Sequence, residues 1–296
     1  MSIGRLPRNN ILNNAWSYRI FLAIGLFLPR SIIHFFTRII AILWHSIDKN
    51  ARNQVESNLT RVIGNDPARL NKVSRELFIN YGTYLGDWAK IIGLGNSEVS
   101  SYFRKIEGEF VYKQEQAKGK GIIILSAHLG NWEMGGLVFS QWGIPFNIVT
   151  AKDELPAIAR MRTKARALHN IKTITIEDDP FFFIDIVNAL KRNEIVAMLV
   201  DRYEKKSGIL VDFLGGKTYF PRGPVSLARA TGASVMPAFT VIEKDGKYRS
   251  TLGAPIDMQW TDNTKEDMYV NVEKIARVFE QYIKLYPNQW YNFSAI

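Results

Sequence analysis

The sequence predicts an α/β fold, a mostly parallel sheet flanked by helices, preceded by a helical amino-terminal segment suited to a membrane surface. Three observations predict it. From about residue 120 onward, short apolar runs alternate with helical patterns, as strands and helices in turn do. Those runs show little polar alternation, as expected of strands covered by helices on both faces. The first 100 or so residues lack the alternation and read as helical throughout. With 296 residues and 47% hydrophobic composition, the chain can bury one large core. No internal repeat, low-complexity tract or Pro/Gly/Ser-rich linker divides it. The predicted division is an apolar membrane-associating segment at 1–50 and an α/β unit at 51–296.

The apolar segment runs from Ile20 to Ile47. Arg30 and Arg38 cut it into stretches shorter than the ~20 apolar residues a bilayer-crossing helix needs, and Pro29 breaks its helical pattern. Two short helices lying in one leaflet fit, with Arg5, Arg8, Arg19, Arg30 and Arg38 as a positive rim and Trp16, Tyr18 and Trp44 at headgroup level. A buried hairpin of core helices fits the same residues. A secretory signal fits less well, because the apolar run starts late and no small-residue cleavage site follows it. Apolar residues at helical spacing predict a helix over 69–92. Strands are predicted at 121–127, 145–150, 172–176, 195–200 and 234–241, with helices at 132–142, 156–169, 180–192 and 224–231. Asp245-Gly246 is a hairpin-turn dipeptide, predicting an antiparallel strand at 248–253 before a last helix at 265–285.

Composition limits the chemistry. Zero cysteines remove disulfides, thiolate metal sites and a cysteinyl acyl-enzyme. The four histidines are scattered, nothing resembles HExxH, and no metal is expected. Neither GxGxxG nor GxxxxGK[ST] occurs, so no nucleotide cofactor is expected. A net charge of +10 favours anionic partners. Nucleic acid is disfavoured among them, since no recognised module or aromatic-basic platform appears.

The stretch from Ile122 to Glu133 holds the predicted site, because a buried strand there empties into a helix past a histidine. Ligands in open sheets lie at the carboxyl ends of strands. Gly130 permits a bend, Asn131 is a candidate N-cap, and Glu133 falls in the first helical turn. His128 with a carboxylate to hold its tautomer is a candidate general base; a satisfied structural histidine accounts for the same residues equally well. Serine hydrolysis lacks its GxSxG elbow. Lys152 and Asp201-Arg202 follow other predicted strands and converge on the same edge. Arg160, Arg162, Lys164 and Arg166 make a basic helix on which Arg162 and Arg166 lie one turn apart and can share a phosphate; a solvated helix face is the plainer reading. The turn-rich stretch 213–224, with Lys217 and Arg222, is either a phosphate-binding loop or a plain hairpin.

Taken in order, HLGNWE at 128–133, DRYEKKSG at 201–208, VDFLGG and FPRGPVSLARATGASVMPAF within 211–239, and YPNQWYNF at 286–293 resemble the bacterial lipid A biosynthesis acyltransferase family. That family includes lauroyl and myristoyl acyltransferases and the related phosphatidylinositol mannoside acyltransferases. The likeness spans nearly the whole chain, including Asn58-Leu59 and Asn80-Tyr81-Gly82. It implies a glycerolipid-acyltransferase-like fold and an O-acyltransferase working at the cytoplasmic face of the bacterial inner membrane without a cofactor. The implied reaction moves a fatty acyl group from acyl carrier protein or acyl-CoA to a hydroxyl of a membrane glycolipid such as a lipid A precursor. The HxxxxE motif implies His128 as general base and Glu133 as its orienting carboxylate, supported by Asp201 and by Arg162 or Arg166. Asn131, Arg162, Arg166, Asp201, Arg202 and Arg222 are the expected substrate-binding residues. Two alternatives keep the same fold: a lipid-binding protein without catalysis, and a hydrolase that passes the acyl thioester to water.

Overall fold

Pro29 stands as the N-cap of a helix that begins directly after it, α1, Arg30–Ile47. The structure, a computed structural model, describes residue 25 and residues 27–91, 96–143, 145–151, 156–176, 181–202 and 208–296. Asp48 joins α1 to α2, Lys49–Ile63: its Oδ1 accepts the Ala51 amide at 3.0 Å and caps the second helix, while its Oδ2 accepts Trp44 Nε1 at 3.1 Å. Helix α3, Pro67–Ile91, runs against α1. Gly82 makes that approach possible, since a Cβ there would lie 2.8 Å from the Thr37 carbonyl oxygen.

The face of α1 turned away from α3 is apolar and open. Phe35, Phe36, Ile39, Ile40, Leu43 and Ile47 recur at helical spacing and are all exposed. No described helix is long and apolar enough to cross a membrane. Two of the expected rim and headgroup residues serve the interior instead. Arg30 pairs with the buried carboxylate of Asp87, and Trp44 packs its ring against Phe78, Tyr81 and Phe293. Arg5, Arg8, Trp16, Tyr18 and Arg19 lie outside the described residues.

The α/β part begins with β1, Phe103–Glu107, and α4, Glu109–Gln116. It continues with β2, Ile122–Ser126; α5, Trp132–Ser140; β3, Phe146–Ala151; α6, Pro156–Ala167; β4, Ile171–Ile176; α7, Phe181–Lys191; and β5, Ile195–Leu199. After the β6–β7 hairpin, Ile209–Phe213 and Gly216–Phe220, come α8, Gly223–Thr231; β8, Ser234–Ile242; β9, Tyr248–Leu252; and α9, Thr264–Leu285. The main sheet has seven strands in the order β1-β9-β8-β2-β5-β3-β4. The run from β8 to β4 is parallel. Strand β9 is antiparallel to β8, as the Asp245-Gly246 turn requires, and β1 lies parallel to β9 at the edge.

Alternation along β2 explains its continuous apolar run. Ile123 and Leu125 point into a layer with Leu190, Val225 and Phe279, while Ile122 and Ile124 point into the opposite layer with Leu137, Phe139 and Phe146. Strand β1 escaped prediction because Phe103 is its only buried residue and its charged side chains read as a surface segment. The stretch beginning at Phe213 is the plain hairpin, turning at Leu214 and Gly215 with φ of 50° and 74°. Lys217 there is tied to Asp212 at 2.9 Å, whereas Arg222, at the far end of the stretch, borders the main cavity.

Candidate active site

His128 sits in the turn between β2 and α5, and the backbone around it is sewn in from two sides. Its carbonyl oxygen accepts the Tyr291 amide at 2.7 Å; the Gly130 amide donates to Gln289 at 2.8 Å and the Asn131 amide to Thr240 at 2.7 Å. Gly130 has φ of 62°, and a Cβ there would overlap the Thr240 carbonyl, so the turn requires glycine. Asn131 accepts the Met134 amide at 3.1 Å through Oδ1 and caps α5.

The carboxylate that meets the imidazole is Asp201, two residues past the end of β5. His128 Nδ1 lies 2.8 Å from Asp201 Oδ1, and Trp290 Nε1 donates to Oδ2 at 2.9 Å. Burial alone would raise the Asp201 pKa. The His128 imidazole, its hydrogen bond, Arg202 and Trp290 outweigh that and bring it down to about 2. An ionised carboxylate can only accept, so Nδ1 carries the proton and Nε2 keeps its lone pair. Nε2 has no partner among the described residues, and the ring borders the main cavity. Burial, and then the nearby Arg202 charge, lower the His128 pKa below the usual 6.5 and keep the ring neutral near pH 7.

Glu133 corrects the sequence expectation. It does not meet His128; Arg166 holds it, donating from Nη2 to Oε1 at 2.6 Å and from Nε to Oε2 at 3.2 Å. The first helical turn points Glu133 toward α6, whereas the bend at Gly130 sends His128 toward the end of β5. Burial would raise the Glu133 pKa, but Arg166 lowers it below the ordinary value. The pair is a buried brace between α5 and α6. Arg166→Met strands an ionised carboxylate and is expected to cost ~3–5 kcal/mol of stability. Chemical denaturation checks this, and a midpoint equal to wild type contradicts it.

The cavity beside His128 has a volume of about 1900 Å³. One part is apolar, walled by Ile124, Gly136, Phe139, Phe146, Ile148 and Ala197 between the sheet and α5; another carries Arg162, Arg202, Arg222 and Lys265. Arg162 lies over the Trp88 ring at 5.8 Å. Arg202 is the more telling cation: its Nε is buried and meets no hydrogen-bond partner among the described residues, and burial lowers its pKa below the ordinary guanidinium value. Arg222 opens α8 at the cavity wall.

Among the expected substrate-binding residues, Arg162, Arg166, Arg202 and Arg222 line the cavity, though Arg166 is engaged by Glu133. Asp201 is fully buried behind the imidazole. Asn131 is also corrected: it is 0% exposed, absent from the cavity wall, and donates through Nδ2 to Tyr248 Oη at 3.1 Å. Both polar ends of its side chain hold protein. Lys152 lies outside the described residues. Sequence reasoning missed the roles of Gln289, Trp290 and Tyr291, although the motif around them was in view. Polar and aromatic residues packed so densely in 286–293 were the available signal.

The sequence model of the family described as bacterial lipid A biosynthesis acyltransferase matches residues 4–294. The chain is 25% identical over 242 residues to a phosphatidylinositol mannoside acyltransferase of Mycolicibacterium smegmatis, covering 80% of this chain and 77% of that protein. It is 24% identical over 306 residues to one of Mycobacterium tuberculosis, covering 98% and 91% respectively. A histidine with a held tautomer faces a cavity part apolar and part cationic, and the family's sequence model matches nearly the full length: the chain belongs to the bacterial lipid A biosynthesis acyltransferase family and is an O-acyltransferase.

Proposed function

We propose that this protein transfers a fatty acyl group from an acyl thioester, carried by acyl carrier protein or coenzyme A, to a hydroxyl of a membrane glycolipid. The observation that carries the reading is His128, with Nδ1 on Asp201 and Nε2 open to the cavity. Nε2 takes the hydroxyl proton as the oxygen attacks the thioester carbonyl, and the C–S bond then breaks to release the thiol. The imidazolium gives that proton to the leaving sulfur, and Asp201 steadies its charge in the interval. No covalent enzyme intermediate is needed.

The Gly130 and Asn131 amides, which lie in the turn after His128, already donate to Gln289 and Thr240 and so are not free for an oxyanion. Arg202, charged and incompletely bonded beside His128, is the better placed group for the oxyanion or for an acceptor phosphate. The apolar wall near Phe139 and Phe146 receives the acyl chain. Arg162 and Arg222 receive anionic parts of donor or acceptor.

The relatives' names point to phosphatidylinositol mannosides as acceptor, and the family's description to a lipid A precursor. Both are offered to the purified protein with acyl-CoA and with acyl carrier protein thioester, and products are weighed by mass spectrometry. A glycolipid heavier by one acyl group supports the reading; free fatty acid alone favours the hydrolase, and lipid binding without either product favours the non-catalytic protein.

Residues 1–50 act in this reading as the membrane-associating segment of a unit spanning 51–296, working at the cytoplasmic face of the inner membrane. The open face of α1 supports the assignment, since exposed large apolar side chains in one stripe are stabilised by a bilayer interface. Replacing Phe36 and Ile40 together by glutamate is expected to weaken binding to anionic phospholipid vesicles about 10-fold or more. Cosedimentation measures it, and unchanged binding would remove α1 from the membrane contact.

A further inference from the structure

Another buried carboxylate takes no part in the chemistry above. Asp87, on α3, has no exposed side-chain surface. Its Oδ1 accepts Arg30 Nε at 2.7 Å and meets His34 Nε2 at 2.8 Å; its Oδ2 accepts Arg30 Nη2 at 2.7 Å and the Tyr248 hydroxyl at 2.5 Å. Burial works against its charge, but Arg30 and His34 keep its pKa below the ordinary carboxylate value. Tyr248, on β9 and 2% exposed, accepts in turn from Asn131 Nδ2. Asn131 caps α5, and its amide ties the turn after His128 to Thr240.

A continuous chain of side-chain hydrogen bonds therefore runs from α1, the helix with the open apolar face, to the turn that carries His128. None of its members lines the cavity. Each link is expensive to break, because withdrawing Arg30 leaves Asp87 charged and buried, and withdrawing the Tyr248 hydroxyl leaves Asn131 Nδ2 without an acceptor. Oppositely charged partners on α1 and a hydroxyl on β9 converge on one carboxylate, so a shift of α1 must be answered at Tyr248 and Asn131.

We propose that Asp87 and Tyr248 are positioning residues that register the catalytic turn against α1, so that the seating of α1 is felt at His128. The proposal rests on the acyltransferase reading for its kinetic consequence, though not for its structural one. Tyr248→Phe keeps the ring and deletes the hydroxyl; Arg30→Gln deletes the charge on α1. With purified full-length protein, palmitoyl-CoA and phosphatidylinositol mannoside, Tyr248→Phe is expected to lower kcat about 10-fold or more through misplacement of His128. Donor KM stays within about twofold, and melting stays cooperative. The double variant loses no more than the stronger single, because both cut one chain of contacts.

An unchanged kcat in folded Tyr248→Phe, or losses that multiply independently in the double variant, would overturn the proposal. A second readout does not depend on turnover. Nitrogen-15 NMR of the histidines is expected to show His128 as a single Nδ1-protonated tautomer in wild type, with tautomer averaging in either variant. Identical His128 resonances in all three proteins would sink the positioning role even where no acyl transfer is detected. A wild type that shows no transfer while its variants show averaging fails the reaction assignment alone.

Discussion

Replacing His128 by alanine is expected to lower turnover by ~10²–10⁴-fold, the usual cost of losing a general base, with the fold intact. The side chain is 18% exposed at a cavity wall, so truncation enlarges an existing space and opens no sealed void. Substrate affinity should change little, because the residue acts on the transferred proton. Wild type carries the matching pH signature. A base must be neutral, and burial together with Arg202 lowers its pKa below 6.5. Activity is therefore full near pH 7 and falls as pH drops through a value under 6.5. An acid limb centred above 6.5 would mean that the imidazole is more solvated or more strongly paired than this site allows.

The second large effect is expected at Asp201. Asparagine keeps the size but has an amide that can donate to Nδ1, which places the imidazole proton on Nε2 and removes the lone pair. Where a triad aspartate elsewhere is changed to asparagine, the loss approaches ~10⁴-fold for this reason, and a fall of at least ~10²-fold in kcat is expected here. The carboxylate raises the imidazole pKa by charge and hydrogen bond, so its removal also moves the residual acid limb to lower pH. Rates for Asp201→Asn near wild type would return the orienting role to another group. Glu133→Gln provides the contrast: stability falls, while the acid limb stays in place because Glu133 does not touch the imidazole.

Much of this was legible because each signal was local. The apolar run before His128 marks a central strand, Gly130-Asn131 marks the turn and cap, and Asp245-Gly246 marks the reversal into β9. Helix edges at 156 and 285 followed from proline and spacing, and Pro224 marked the start of α8 to within one residue. What stayed hidden depends on direction. Glu133 is five residues from His128 and Asp201 is seventy-three, yet the distant carboxylate is the partner, because one sharp bend separates the first pair and the parallel pairing of β2 with β5 unites the second. Arg166 looked like a phosphate ligand for the same reason; nothing in a run of basic residues says which one turns inward. Asp87 and Tyr248 carry no spacing signal at all, since a lone aspartate in a helix and a lone tyrosine in a strand read as surface and core.

Mass spectrometry of lipids from cells with and without this protein, complemented by wild type or by His128→Ala, tests the central claim most directly. The account predicts that one glycolipid loses a single acyl increment, and that wild type restores it while His128→Ala does not. A glycolipid restored equally by both proteins would contradict the role given to His128.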